Sequence, residues 1–236
     1  RSTQAKTLFP YTTLFRSAIR QAHGPLFCLK ADISKYFASI DHARLKAILR
    51  RHIHCDRTLR LLDAIIDSSP GRPGVGIPLG NLTSQLFANL YLNELDRYAK
   101  HDLGIRYYIR YMDDFVVLHH DKAQLQAWRA RIEQFLWSAL RLTTNSKTQI
   151  FPVGPDNGRA LDFLGYRIYP THRLLRKNSI KRIRYKLRRF KRAIAAGRLT
   201  AGDCRPCIQS WCAHAAHANT WRLRCSLFNI SSGANR

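Results

Sequence analysis

The stretch Arg110-Tyr111-Met112-Asp113-Asp114-Phe115-Val116-Val117-Leu118 decides how the chain is read. Two adjacent carboxylates interrupt two runs of β-favouring residues, 105–111 and 115–119, and that is the pattern of a tight hairpin. In such a turn both carboxylates stay in solvent and can point at one spot. Side by side they repel unless a cation neutralises them, so the pair is either a wet turn or half of a metal site. An acidic turn is the commoner outcome for such a hairpin taken alone. The rest of the chain has to decide.

Working outward, residues 26–33 (Leu-Phe-Cys-Leu-Lys-Ala-Asp-Ile) are a short apolar run closing on a carboxylate and read as a buried strand. Leu45, Ile48, Leu49 and Ile53 recur at helical spacing over 42–53, with Asp41 placed to cap. A second helix is expected over 58–67, with Leu61, Leu62, Ile65 and Ile66 inward. Three prolines and four glycines make 68–80 a loop. A long helix follows over 82–100, with Leu86, Phe87, Leu90 and Leu95 on one side. Past the Asp-Asp hairpin, Trp128, Ile132, Phe135 and Leu136 are periodic over 122–140, and 147–153 and 160–169 read as strands around a Pro/Gly/Asn/Asp turn. The chain has no internal repeat and no low-complexity tract.

With 236 residues, 45% of them hydrophobic, the chain can bury one sizeable core or two small ones. A formal charge of +25 and a pI near 10.6 point to a polyanionic partner, most simply nucleic acid. No apolar run is long enough for a membrane span, and there is no secretory pattern. Six scattered cysteines suggest reduced thiols in a cytoplasm-like compartment. The charge is uneven: residues 173–192 hold eleven Lys/Arg and no acid, while Ile180, Ile183, Leu187 and Phe190 keep helical phase. Such a face can simply be solvated, but its self-repulsion would be relieved by a phosphate backbone. A further helical element is expected over 200–227, with Trp211 and Trp221. Cys204, Cys207, Cys212, His214, His217 and Cys225 superficially resemble a zinc set. Cys207, Trp211, His214 and Ala218 share helical phase, so a packed helix explains them without metal. Residues 7–17 resemble the translation of a sequencing-library adapter, and 1–17 are therefore set aside as foreign.

Asp32 at a strand end and an Asp pair at a hairpin are what two-metal phosphoryl transfer needs, carboxylates converging from different elements. Hard oxygen ligands with no His/Cys cluster nearby suit Mg²⁺, two ions, with Mn²⁺ a substitute. Here a family resemblance enters. Tyr111-Met-Asp-Asp114 resembles the catalytic box of reverse transcriptases, and Lys30-Ala-Asp-Ile-Ser-Lys-Tyr-Phe37 resembles the family's first catalytic box. Gly76-Ile-Pro-Leu-Gly-Asn-Leu-Thr-Ser-Gln85 resembles the next, and Phe163-Leu-Gly-Tyr166 looks like the primer-grip hairpin. The four boxes stand in the family's order. The resemblance implies an α+β fold: a right-hand polymerase palm over 18–170, an antiparallel sheet with packed helices and a remnant of the fingers, then a basic helical thumb over 171–236. With most of the fingers missing upstream of Asp32, the chain is expected to bind hybrid duplex and to polymerise poorly.

Most reverse transcriptases place Gln-Gly ahead of Ser-Pro in the second box. Leu79-Gly80 and Ser84-Gln85 here are similar to the enzymes of diversity-generating retroelements, which copy a template RNA into cDNA with frequent errors opposite adenine. Group II intron and retron enzymes are the alternative, as is a non-catalytic nucleic-acid-binding fragment of the same fold. By resemblance, Asp32 and Asp113 are metal ligands with the Ile33 carbonyl assisting, and Asp114 supports them. Phe37 matches the gate against a ribose 2′-hydroxyl, its plain alternative being a core aromatic. Tyr36, Leu79, Gly80, Gln85 and Lys147 fall at the incoming nucleotide, Lys147 as a candidate proton donor to the pyrophosphate or equally a surface lysine, and Leu79, in place of a polar side chain, is the candidate source of low fidelity. Tyr111, Met112, Phe163, Leu164, Gly165, Lys181, Arg182, Arg184, Lys186, Arg188 and Arg189 fall along primer and template. Implied partners are template RNA, primer or cDNA, dNTPs and a small basic accessory protein, in a bacterial or phage-encoded, cytoplasmic setting.

Overall fold

Strand β1 (Leu26–Asp32) ends on Asp32, and β2 (Tyr107–Tyr111) and β3 (Asp114–His119) form the hairpin. With β4 (Gln149–Val153) they make a four-stranded sheet in the order β2-β3-β1-β4, in which β1–β3 and β2–β3 pair antiparallel. The computed structural model describes residues 15, 17–19, 24–78, 80–153, 159–169 and 171–228. The chain divides into two compact units, Gly24–Pro152 and a second made of Arg1–His23 with Val153–Arg236.

In the first unit the sheet register is fixed by burial. Phe115 to Leu118 are all buried, so β3 is an interior strand and reads as a continuous apolar run. A one-residue slip would turn every side chain to the wrong face. The register pairs Leu29 with Val117 and Asp32 with Asp114. Around the sheet stand α1 (Tyr36–Ser39), α2 (His42–Arg50), α3 (Asp56–Asp67), α4 (Leu82–Arg97) and α5 (Lys122–Leu140). Asp41 caps α2 as expected, accepting the Arg44 amide at 2.9 Å. The α4 chain continues through a π-helical turn, Tyr98–Asp102. Leu29, Tyr91, Leu92, Leu95, Phe115 and Leu136 sit in one core with at most 1% exposure. Each contributes about 1.5–3 kcal/mol over its exposed state.

Two inward assignments are corrected here. Leu86 is 65% exposed, because α4 turns the stripe Ser84, Phe87, Ala88, Tyr91, Leu92, Leu95 to the core. Tyr91 fixes that rotation, its hydroxyl donating to the Leu140 carbonyl at 2.7 Å. Leu61 is 62% exposed, and α3 buries fully only Ile66. The outer side of α3 is held instead by the ion pairs Lys46–Asp67 and Arg50–Asp63.

The second unit departs from the expected elements in three places. Residues 160–169 are a hairpin, β5 (Leu161–Phe163) and β6 (Tyr166–Ile168), which with β7 (Arg173–Leu175) makes an antiparallel sheet. Leu164 (φ 52°) and Gly165 (φ 87°) form its turn, and positive φ at both central residues is what a tight twisted hairpin demands. The basic helix α6 therefore begins only at Lys177 and runs to Ala195. Finally, the helical element over 200–227 is two helices, α7 (Ala201–Ala216), with a Thr200/Asp203 capping box, and α8 (Trp221–Phe228). Phe15, inside the segment set aside above, is 1% exposed and packs edge-on against Phe163 at 5.7 Å. The expected turn at 154–158 lies outside the described residues. Among the described residues no helix is long and apolar enough to cross a membrane.

Candidate active site

The hairpin turn is Met112-Asp113, because Tyr111 and Asp114 are already cross-strand partners. Asp114 is thus the first residue of β3 rather than a turn residue, which corrects the symmetrical Asp-Asp turn expected from sequence. Met112 adopts φ 55°, as the first central residue of a primed two-residue turn must. Lys35, just past β1, has φ 45°. Two non-glycine residues in the left-handed region, each costing about 1–3 kcal/mol, therefore flank Asp32 and Asp113, and such strain concentrates at functional sites.

Backbone bonds bring the strand end and the turn together. The Ile33 amide donates to the Asp113 carbonyl at 3.3 Å. On an extended strand the N–H and C=O of one residue leave on the same side, so the Ile33 carbonyl faces the hairpin too. The Asp32 and Asp113 carboxyls are close enough to interact electrostatically. Burial first, then the charges of Asp32 and Asp114, raise the Asp113 pKa above the usual carboxylate range. The crowding is the electrostatic signature of a site that a cation would relieve. Asp114 is drawn the other way, 3.8 Å from Lys30 Nζ. Among the described residues no three His, Cys, Asp or Glu side chains converge as a ready cation cage. Two carboxylates and a backbone oxygen nevertheless suit Mg²⁺, which commonly binds through one or two carboxylates and completes its shell with water and substrate phosphate.

Two supports escaped the sequence reading. Arg110 is clamped bidentately to Asp96 (Nε–Oδ1 2.8 Å, Nη2–Oδ2 2.5 Å) and donates from Nη1 to the Met112 carbonyl at 2.9 Å, pinning the strained turn. Tyr108 donates to the same Asp96 oxygen at 2.8 Å. Asn145 lies beside Asp32, its amide donating to the Asp32 carbonyl at 2.7 Å and its Nδ2 3.5 Å from Oδ2. Its Oδ1 accepts the Lys147 amide at 3.1 Å, so exposed Lys147 belongs to a loop anchored on Asp32. An Asn between a helical stretch and a strand run was the only sequence signal for it.

The other predicted residues fall as follows. Tyr36 is 3% exposed, its hydroxyl donating to the Ala88 carbonyl, and burial raises its pKa far above the ordinary phenol value. Phe37 is half-buried, tilted against Tyr36 at 5.6 Å, and its carbonyl accepts the Ile77 amide at 2.9 Å. That bond ties it to the loop carrying Gly76 to Gly80. Gly76 has φ 91°, a conformation that L side chains rarely adopt, so glycine is favoured there. The loop is also held by buried His42, whose Nε2 lies 2.5 Å from the Gly76 carbonyl. Gly80 and Gln85 are exposed, and Tyr111 and Met112 are half-buried. Leu79 lies outside the described residues. In the second unit Phe163 is buried, and Lys181, Arg182, Arg184, Lys186, Arg188 and Arg189 all stand exposed on α6. His214, from the cysteine-histidine group, hydrogen-bonds through Nδ1 to Tyr166 Oη at 2.9 Å.

Known proteins share the family and the fold. Protein YkfC of Escherichia coli (strain K12) is 30% identical, matching 64% of this chain and 47% of its own length. An apo telomerase from Candida tropicalis, truncated from its C-terminal domain, shares the fold at TM-score 0.56 and 14% identity over 75% of this chain and 40% of that one. A Candida albicans telomerase in complex with a TWJ fragment of telomeric RNA gives 0.53 and 12% over 75% and 34%. The chain thus spans less than half the length of these relatives. The family model "Reverse transcriptase (RNA-dependent DNA polymerase)" matches residues 2–168, a span holding both aspartates and both supports, and the chain belongs to that family.

Proposed function

We propose that the chain is the polymerising core of an RNA-directed DNA polymerase, making cDNA on an RNA template. The observation that carries this reading is the meeting of the Asp32 and Asp113 carboxyls where β1 ends beside the β2–β3 turn, with Asp113 pushed toward its protonated form. Two Mg²⁺ (or Mn²⁺) held by Asp32, Asp113 and the Ile33 carbonyl would supply Lewis-acid activation of a primer hydroxyl and neutralisation of the triphosphate. The chain's own residues hold that site in place. Arg110 fixes the turn, Asn145 steadies Asp32, and the Gly76 to Gly80 loop, tied to Phe37 and His42, frames the nucleotide side. Asp114, engaged with Lys30, acts in support. Tyr36 works from within the core, setting the position of Phe37. The exposed cations of α6 are the phosphate track, with Phe163 to Gly165 at the primer. The RNA bound by the Candida albicans telomerase supports an RNA partner for this fold.

The second box, Leu79-Gly80 with Ser84-Gln85, supports the diversity-generating subtype, with its error-prone copying opposite adenine and its small basic accessory protein. Primer extension on an RNA template with Mg²⁺, against Asp113→Ala, tests the activity. Extension by the parent and none by the variant is the expected result. Leu79→Gln should lower misincorporation opposite adenine, and an unchanged error spectrum sinks the subtype. Absence of a three-carboxylate cluster among the described residues favours one second reading, a nucleic-acid-binding module on the same fold. Tight hybrid binding with no extension under any divalent ion would select it.

A further inference from the structure

Between α6 and α7 the second unit holds a cavity of 540 Å³, within the range of pockets that enclose one small organic ligand. We propose that this cavity takes a single unstacked nucleotide of a nucleic-acid strand, its base against Trp211 and His214 and its phosphate against Arg182 and Lys186. The proposal rests on the nucleic-acid reading of α6 and adds to it a site for one base. A convex basic face can follow a duplex backbone, but a concave pocket admits a base only when the base has left its stack.

Three features of the lining converge on that ligand. Arg182 and Lys186 stand one turn apart on α6, and no carboxylate lies within ion-pair distance of either among the described residues. Arg176, the third cation of the lining, is already committed to Asp162 at 2.8 Å. With no carboxylate to neutralise them, and Lys186 Nζ engaged by Cys207 Sγ at 3.5 Å alone, Arg182 and Lys186 are the anion-seeking end, and charge-assisted bonds to phosphate are their natural use. Trp211 and His214, three residues apart on α7, bring aromatic surface to the opposite side. The Trp211 indole is held by its Nε1–H bond to Ser179 Oγ at 3.2 Å, so its ring is pre-positioned for stacking.

The third feature is a hydrogen-bond acceptor among cations. Tyr166 Oη lies 3.0 Å from the His214 carbonyl and 2.9 Å from His214 Nδ1, and the one assignment that makes both contacts hydrogen bonds has the hydroxyl donating to the carbonyl and accepting from Nδ1–H. The proton on Nδ1 leaves Nε2 with a bare lone pair. Burial, with the nearby His217 charge, lowers the His214 pKa and keeps the ring neutral. Gly165 lines the cavity beside this edge, and a Cβ there would sit 3.5 Å from both Nε2 and Cε1. Glycine keeps the acceptor uncovered. An acceptor facing a cationic pocket has no use for phosphate, and it is what an N–H or amino edge of a base requires.

The test is tryptophan fluorescence of the full chain titrated with AMP, adenosine and inorganic phosphate. AMP should quench saturably, with adenosine and phosphate each at least about tenfold weaker. Arg182→Gln should weaken AMP about tenfold and leave adenosine unchanged, whereas Arg205→Gln, on the exposed face of α7, should change neither. His214→Gln should weaken AMP and adenosine together, and Trp211→Phe should remove the signal. Both Arg182 and His214 variants are conservative enough to report even if Trp211→Phe fails to fold. A single-stranded oligonucleotide should displace AMP and a blunt duplex should not. Equal binding of AMP and phosphate would reduce the cavity to a plain anion site and overturn the proposal, as would absence of saturable AMP binding or equal competition by duplex. Saturable AMP binding without primer extension would overturn the polymerase reading and leave the cavity standing; extension without AMP binding would do the reverse.

Discussion

Replacing Arg110 by Met should destabilise the first unit by about 2–3 kcal/mol, and the structure shows why. The guanidinium makes three bonds, two to Asp96 and one to the Met112 carbonyl. Its side chain is 9% exposed and that of Asp96 is 30%. Removing one partner of a well-buried pair costs about 3–5 kcal/mol, since the other charge is left without compensation. Water can reach Asp96 and Tyr108 still donates to it, and this brings the figure down. For a unit of this size the loss corresponds to a fall in Tm of roughly 6–12 °C. Denaturant unfolding followed by circular dichroism and by tryptophan fluorescence, read for each unit separately, gives the magnitude. A cycle with Asp96→Leu then isolates the pair, and a coupling of about 1–3 kcal/mol is expected. A loss below about 0.5 kcal/mol, or simple additivity in the cycle, would refute the idea that this clamp holds the turn. Because Met112 is strained, the same substitution should slow primer extension more than Arg129→Met, which breaks an exposed pair on α5.

Asp113→Asn should reduce extension about a thousandfold, as loss of several kcal/mol of charge stabilisation implies, and Asp114→Asn less, since Asp114 leans toward Lys30. Steady-state single-nucleotide kinetics rank the two. Millimolar Mg²⁺ should raise the Tm of the parent chain and not of Asp113→Asn, and equal shifts would show the ion bound elsewhere. His42→Ala should cost about 1–3 kcal/mol by leaving the buried Gly76 carbonyl unpaired, with faster proteolysis in 68–80, and His42→Gln should recover part of it. The His214 pKa lies below its ordinary value, so its contribution to stability is present above the unfolded-state pKa of about 6.5 and is lost as pH falls through the folded value. A pH series of melting curves should show that acid loss in the parent and a shallower one in His214→Gln. Substituting Lys181, Arg184 and Arg188 together should cut the slope of log affinity against log salt by about two to three units for duplex, with the Tm unchanged.

What could be read from the sequence was local. β1, the Asp41 cap and the bounds of α5 depend on apolar spacing and a single capping carboxylate, and all three stand as expected. Asp32 and the hairpin aspartates were found because a carboxylate at the end of an apolar run is conspicuous wherever the chain folds. Helical phase also yields a stripe, but its centre is set by the partner: α4 turned Tyr91 inward and left Leu86 in water. The run 160–169 carries β-favouring residues almost throughout, and its doubling back was signalled by Gly165 and by the resemblance of Phe163-Leu-Gly-Tyr166 to a hairpin rather than by periodicity.

Sequence by itself determined β1, the β2–β3 hairpin, the helices α2 and α5 and the strongly basic face of α6, since each depends on neighbours a few positions away. The tertiary structure decided which carboxylates meet. Asp113 sits in the turn beside Asp32, and Asp114 belongs to a strand, because β1–β3 pairing sets the register. It also decided what supports them: Asp96 reaches Arg110 across 14 residues and Asn145 reaches Asp32 across 113. Such pairs have no periodicity along the chain, and only the packing that buries β3 brings them within a hydrogen bond of each other.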